Sequence, residues 1–114
     1  MEQIIFKTKG REYPLPAFTI GQYFNIEATK QVLGKGFYNA IAQSPFQSGA
    51  NAQEAIDMEA IVTILIPKLI EDLKCKALSE LGISDYMELK KDFDEQIIPW
   101  WNEVLQMMNP KKQE

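Results

Sequence analysis

Histidine is missing from this sequence of 114 residues, and Cys75 is its only cysteine. A chain with a single thiol forms no internal disulfide. Zinc sites built from cysteine and histidine are excluded, and so are Ser-His-Asp and Cys-His nucleophiles. We therefore expect a protein that is not an enzyme and that uses no metal or cofactor.

Long apolar runs are missing as well. The longest, residues 61–66, is interrupted by Thr63 and closed by Pro67, so it is far too short to span a bilayer. The N-terminus lacks the basic stretch and long apolar segment of a secretory signal. These features predict a soluble intracellular protein with no membrane partner.

Basic residues are sparse and scattered. Residues 1–50 carry five basic and three acidic side chains, whereas residues 51–114 carry seven basic and thirteen acidic ones, for a net charge of −4. A general nucleic-acid surface needs clustered Lys and Arg, so we expect no nucleic-acid partner. The composition, 46% apolar and 25% charged, is typical of one globular domain.

The first residues predict a small β-hairpin. Residues 3–7 and 11–15 are short and β-rich, and Gly10 between them can supply a positive φ. A lone hairpin is marginally stable in water, so it must pack on other elements. The remaining pattern is helical. We predict a mainly α fold of the α+β kind, with the hairpin packed on about four to five helices.

The predicted organisation is a single domain over residues 1–114. The hairpin takes residues 1–16, the helical body residues 19–108, and a frayed tail residues 109–114. Thr19 and Gln22 form a capping box at the first helix.

Glycines and prolines divide the helical body. Residues 34–36, Gly-Lys-Gly, are predicted to end the first helix. The alternative, a phosphate-binding loop, would need a longer motif that follows a strand. A short helix at 37–43 and a loop at 44–52 follow. Asn51 with Glu54 offers the next cap, and Pro67 should kink or split the helix that begins there.

In the last third of the chain, the sequence predicts the end of one helix and then a long final helix. Leu81-Gly82-Ile83 is typical of a Schellman ending. Ser84 caps the final helix, and Pro99 marks a change along it. A first apolar stripe runs the whole length of this helix, through Tyr86, Leu89, Phe93, Ile97, Trp100 and Val104.

A second apolar stripe begins only after Phe93. Adjacent helical residues point about 100° apart, so one core reached from one direction would hardly accept both Trp100 and Trp101. Either the two rings are wedged between two packing partners, or one faces a partner outside the chain. Aromatic and Met side chains with little charge are typical of interfaces. The residues we predict to bind a protein are Ile98, Trp101, Leu105 and Met108.

Two other features have an ordinary structural interpretation. The carboxylates of Glu88, Asp92, Asp94 and Glu95 could bind a hard cation, but their helical spacing favours a solvated face. Cys75 lacks a nearby base and is better explained as a structural cysteine than as a reactive thiol.

Three stretches together resemble a known family. The entry "IIFKTKGREYPLPAFTIGQYFNIE", the acidic helical body and the ending "DFDEQIIPWWNEVL" look like the small tail assembly chaperones of long-tailed bacteriophages, in particular those of Bacteroidetes phages. The resemblance implies a non-enzymatic protein in the host cell cytoplasm. It would coat apolar helical segments of a tape measure protein, help recruit tail tube subunits, and self-associate as a homo-oligomer. The alternative is a structural virion component, such as a tail or connector subunit retained in the particle.

Overall fold

The computed structural model describes residues 3–110, so residues 111–114 of the predicted tail lie outside the described part. The chain begins with strands β1 (Ile5–Thr8) and β2 (Arg11–Pro14). Helices α1 (Ile20–Leu33), α2 (Tyr38–Ala42), α3 (Gln47–Leu65) and α4 (Pro67–Asp72) follow. After a 3-10 turn at Leu78–Glu80 come α5 (Ile83–Gln96) and α6 (Ile98–Met108). The predicted fold class, a hairpin on a mainly helical body, is confirmed.

The hairpin is antiparallel and turns through Lys9 and Gly10, which both have positive φ. Its inward side chains include Phe6 and Thr8, which are buried. Phe6 meets the ring of Phe93 in α5 edge-on, with 6.3 Å between the ring centres. The hairpin is therefore part of the core, as a strand pair too small to fold alone must be.

Helix α5 also holds β1 through hydrogen bonds. The side chain of Gln96 donates to the Lys7 carbonyl and accepts from the Lys7 amide, both at 2.7 Å. Thr8 donates its hydroxyl to Asp92 at 2.7 Å. These bonds satisfy backbone groups of an edge strand that would otherwise be left to water.

The predicted start and end of α1 are confirmed. Thr19 accepts from the Gln22 amide at 3.2 Å, and the Gln22 side chain accepts from the Thr19 amide at 2.9 Å. At the other end Gly34 follows the last helical residue, and the Gly36 amide reaches back to the Gln31 carbonyl at 3.1 Å.

The predicted loop over residues 44–52 is wrong beyond its first residues. Helix α3 already begins at Gln47, so Asn51 is inside the helix and does not cap it. Gly49 lies against Ser44 within the first turn of α3, since a Cβ there would lie 2.4 Å from the Cβ of Ser44. Its missing side chain lets the preceding chain cross the first turn of α3. Pro67 splits the helix as predicted, since α3 ends at Leu65 and α4 starts at the proline.

The predicted helix end at Leu81–Ile83 is also wrong. Helix α4 ends at Asp72, and Lys74 beyond it takes a positive φ of 57°. Helix α5 begins at Ile83, so Ser84 lies inside it and makes no cap. A non-glycine residue in the left-handed region ended the helix where the pattern offered no glycine.

Candidate protein-binding surface

The paired tryptophans are both buried, and each has its own packing partner. Trp100 is 7% exposed and Trp101 3% exposed. Trp100 lies with its ring centre 5.2 Å from that of Phe18, edge-on, in the segment between the hairpin and α1. Trp101 stacks on Tyr23 of α1 at 6.0 Å between ring centres. Two partners on two sides explain how adjacent helical residues are buried together.

The four residues of the second stripe are therefore not equivalent. Trp101 does not face outward as the stripe predicted, because Tyr23 and Phe18 enclose it. Ile98 and Leu105 are half-buried against the core, and Met108 is exposed. Whether Ile98, Leu105 and Met108 contact a partner stays a prediction. The first stripe, by contrast, lies in or against the core along its whole length.

An apolar groove of about 150 Å³ lies between the start of α1 and the end of α6. Its lining is apolar except for Thr19 and the Tyr23 hydroxyl. The lining residues are Phe18, Thr19, Ile20, Tyr23, Val104, Met107 and Met108. One member of the predicted surface, Met108, is therefore part of a wider concave site that is also formed by the start of α1 and the two residues before it.

Large apolar side chains stand exposed along this groove. Met107 is 61% exposed and Ile20 56%. Phe24, one helical turn after Ile20, is 59% exposed. Scattered exposed apolar residues are ordinary, whereas several around one groove are typical of a protein-binding surface. We call Ile20, Met107 and Met108, which line the groove, the groove rim. Phe24 lies beside the groove, edge-on to the ring of Tyr23.

A second hollow of about 180 Å³ lies on the other side of Phe18. It is lined by residues from both ends of the hairpin and by Trp100. Its lining residues are Gln3, Ile4, Leu15, Pro16, Ala17, Phe18 and Trp100. The Phe18 ring thus separates two neighbouring hollows.

A buried lysine, Lys30, lies close to the aromatic rings next to the groove. Lys30 of α1 is 4% exposed, and its ammonium lies 3.0 Å from Glu27 and 3.7 Å from Asp57 of α3. The same ammonium lies 5.2 Å from the ring centre of Trp101 and 5.7 Å from that of Tyr38. A cation on an aromatic face is attracted by the negative face of the ring. Lys30 therefore joins α1, α2, α3 and α6.

The carboxylate of this cluster is perturbed by its surroundings. Burial raises the pKa of Asp57, while the hydrogen bond from Tyr38 and the charge of Lys30 act in the opposite direction. The Tyr38 hydroxyl donates to Asp57 at 2.5 Å. Burial and this hydrogen bond raise the pKa of Tyr38, so the hydroxyl keeps its proton and serves as a donor.

The carboxylates of α5 engage in separate local contacts. Asp94 pairs with Lys90 at 2.6 Å, Glu88 pairs with Lys9 at 3.6 Å, and Asp92 accepts from Thr8. Glu95 is exposed. Within residues 3–110, His, Cys, Asp and Glu side chains form no group of three placed to hold a metal ion.

Cys75 is half-buried, and burial raises the pKa of its thiol. A raised pKa lowers the fraction of the reactive thiolate.

No protein-family model, curated protein or solved structure matches the chain. Over the part of the chain that the structure describes, no helix is long and apolar enough to cross a membrane.

Sequence reasoning missed two parts of this site. Lys30 gave no signal, because a lysine inside an amphipathic helix is ordinarily solvated. Ile20 and Phe24 were not singled out, although both are exposed. Their spacing of four, apart from the buried Ile26, was the available sign that α1 has a second apolar face.

Proposed function

We propose that this chain is a non-enzymatic tail assembly chaperone of a long-tailed phage. In the host cell cytoplasm it binds apolar helical segments of a tape measure protein, tail tube subunits, or both. By binding them it assists assembly of the phage tail. The observation that carries the proposal is the apolar groove between α1 and α6 with its exposed rim. The resemblance of the hairpin entry and of the aromatic last helix supplies the class of partner.

The groove suits this activity physically. A long helical partner that is not yet assembled exposes apolar faces, which aggregate unless another surface covers them. An amphipathic helix binds a groove by placing apolar anchors at helical spacing. Met and aromatic side chains accommodate several sequences, because Met is flexible and polarizable.

The test is co-expression of the tape measure protein with variants of this chain. We expect the wild-type chain to raise the soluble yield of the tape measure protein and to co-purify with it. Ile20→Ser combined with Met107→Ser, at two exposed residues that line the groove, should lose both effects. Val32→Ser is the matched control, since Val32 is exposed on the same helix but outside the groove.

The outcomes separate the candidates. Loss of both effects in the double variant alone supports the chaperone. Equal loss in the control variant, or no effect of the wild-type chain, contradicts it. Presence of the chain in purified virions, in stoichiometric amounts, would instead support a structural tail or connector subunit.

Self-association is part of the same proposal. Large apolar side chains outside the groove, such as Phe46 and Ile83, are also exposed and can be buried against another copy, so we expect a homo-oligomer at micromolar concentration. Light scattering that gives a monomer mass throughout that range would reject this point without affecting partner binding.

A further inference from the structure

We infer that the groove selects an amphipathic helix whose apolar face is flanked by lysine or arginine. This inference rests on the proposed function and names the chemistry of the bound segment. It depends on the charges of the two helices that form the groove.

The groove is too small to enclose a whole ligand. Its volume of about 150 Å³ lies below the ~300–1,000 Å³ typical of small-molecule pockets. Its lining includes the buried Val104 and the partly buried Tyr23. A site of this size receives a few apolar side chains of a segment that continues beyond it, as in helix-in-groove recognition.

The charges of α1 and α6 that reach solvent are both negative. The two helices, Ile20–Leu33 and Ile98–Met108, contain three charged residues, which are Glu27, Lys30 and Glu103. Lys30 is buried against Trp101 and Asp57, so it presents no charge at the groove. Glu27 is partly exposed and pairs with Lys30 at 3.0 Å, but Lys30 also pairs with Asp57, so two carboxylates share one ammonium and a negative charge remains. Glu103 is exposed.

Both carboxylates stand beside groove residues. Glu27 lies one helical turn after Tyr23, and burial together with the charge of Glu27 raises the pKa of the Tyr23 hydroxyl. Glu103 lies one turn before Met107. A segment lying in the groove therefore meets an acidic residue from each helix, and basic flanks complement both. Lys111 and Lys112 follow α6 in the sequence and lie outside the described residues.

The same charges disfavour a second copy of this chain as the occupant. Its other exposed apolar helical side chains include Ile83 and Met87 at the start of α5. Asp85 and Glu88 stand among them, and the single Lys9 pairs with both. Bringing that segment to Glu27 and Glu103 would place like charges together, which opposes binding.

The experiment uses two synthetic helical peptides with the same leucine face, one flanked by lysines and the other by glutamates. Fluorescence anisotropy measures their binding to the full chain at low and high salt. We expect the lysine-flanked peptide to bind about tenfold more tightly at low salt, and the difference to shrink at high salt as screening increases. Glu103→Gln should weaken binding of the lysine-flanked peptide by about threefold, as expected for loss of one exposed ion pair. Glu95→Gln, the same change at an exposed site on α5, should leave it unchanged.

Each contrary result has a distinct meaning. Equal binding of the two peptides, or equal effects of the Glu103 and Glu95 changes, overturns the charge selection but leaves the apolar docking site intact. Tighter binding of the glutamate-flanked peptide overturns it too. If neither peptide binds, or if Ile20→Ser with Met107→Ser binds both peptides as the wild type does, the groove is not the docking site and the proposed function fails with it.

Discussion

The ammonium of Lys30 in α1 lies 5.2 Å from the centre of the Trp101 ring in α6. Tyr23, stacked on that ring, also lines the groove. The buried cation is therefore linked to the groove through the stacked rings of Trp101 and Tyr23. A change at Lys30 should be felt both in folding stability and in the position of α6, on which the shape of the groove depends.

Replacing Lys30 with Met tests the first effect. The change keeps the length of the side chain but leaves Asp57 and Glu27 without their cation. Removing one partner of a buried ion pair costs ~3–5 kcal/mol, and we expect about 1–3 kcal/mol here because Glu27 remains partly exposed. Urea denaturation measures the loss. Adding Asp57→Asn to Lys30→Met should recover part of it, and a double variant less stable than either single one would argue against a coupled pair.

Acidification should weaken the fold through Asp72. The hydrogen bond from Tyr13 at 2.8 Å, with Lys68 and Arg11 nearby, lowers the pKa of Asp72 in the folded state. The unfolded chain therefore takes up this proton at a higher pH than the folded one. The contribution of Asp72 is complete above the ordinary carboxyl pKa and is lost as the pH falls through its lowered folded value.

Asp72→Asn should reduce stability at neutral pH and make the loss on acidification shallower, as measured by urea denaturation at a series of pH values. Asp57 should show the opposite pH dependence, since burial raises its pKa in the folded state. Its contribution grows on acidification, so Asp57→Asn should make the acid loss steeper. The same change of slope in both variants would contradict these assignments.

Thr19→Ala should destabilise the protein by roughly 1 kcal/mol through loss of the helix cap. The Thr19 hydroxyl satisfies the Gln22 amide, and alanine cannot replace it. Thr19→Ser retains an acceptor and is the control. A denaturation midpoint unchanged in Thr19→Ala would show that the cap contributes nothing.

Local signals carried most of the fold prediction. Gly10, the Thr19–Gln22 box and Pro67 each act within a few residues, and the structure confirms all three. The hairpin position and the first stripe of the last helix depend on period and turn chemistry, which the sequence displays directly.

Contacts that local propensity does not show account for the rest. Ser, Gly and Asn between residues 44 and 52 favour a loop by local propensity, but α3 begins at Gln47, and Gly49 in its first turn packs closely against Ser44. Trp101 has a partner in Tyr23, 78 positions earlier in the numbering, and Lys30 has one in Asp57. No helical period contains that information, so the outward direction predicted for Trp101 could not be corrected from the sequence.

Gly49→Ala tests the close packing at the start of α3. The added Cβ would lie 2.4 Å from the Cβ of Ser44 and 3.2 Å from the Ile41 carbonyl oxygen. Alanine is the better helix former, so propensity alone predicts a gain in stability. We expect a net loss of ~1–3 kcal/mol because a tightly packed site must shift. Ser44→Gly in the same chain should restore most of the loss, and a stabilised Gly49→Ala variant would exclude the contact.

The two tryptophans supply the most direct test of the core. Both rings are buried among aromatic partners, so Trp100→Ala and Trp101→Ala should each lower the free energy of unfolding by ~3–5 kcal/mol. We expect Trp101→Ala to lose more, because it also removes the ring that faces the Lys30 ammonium. Phe37→Ala, at an exposed aromatic residue, is the control and should change stability little. Thermal and urea denaturation of the three variants would decide the matter. A Trp101→Ala protein as stable as the wild type would mean that this ring is not part of the core and is free to serve a partner.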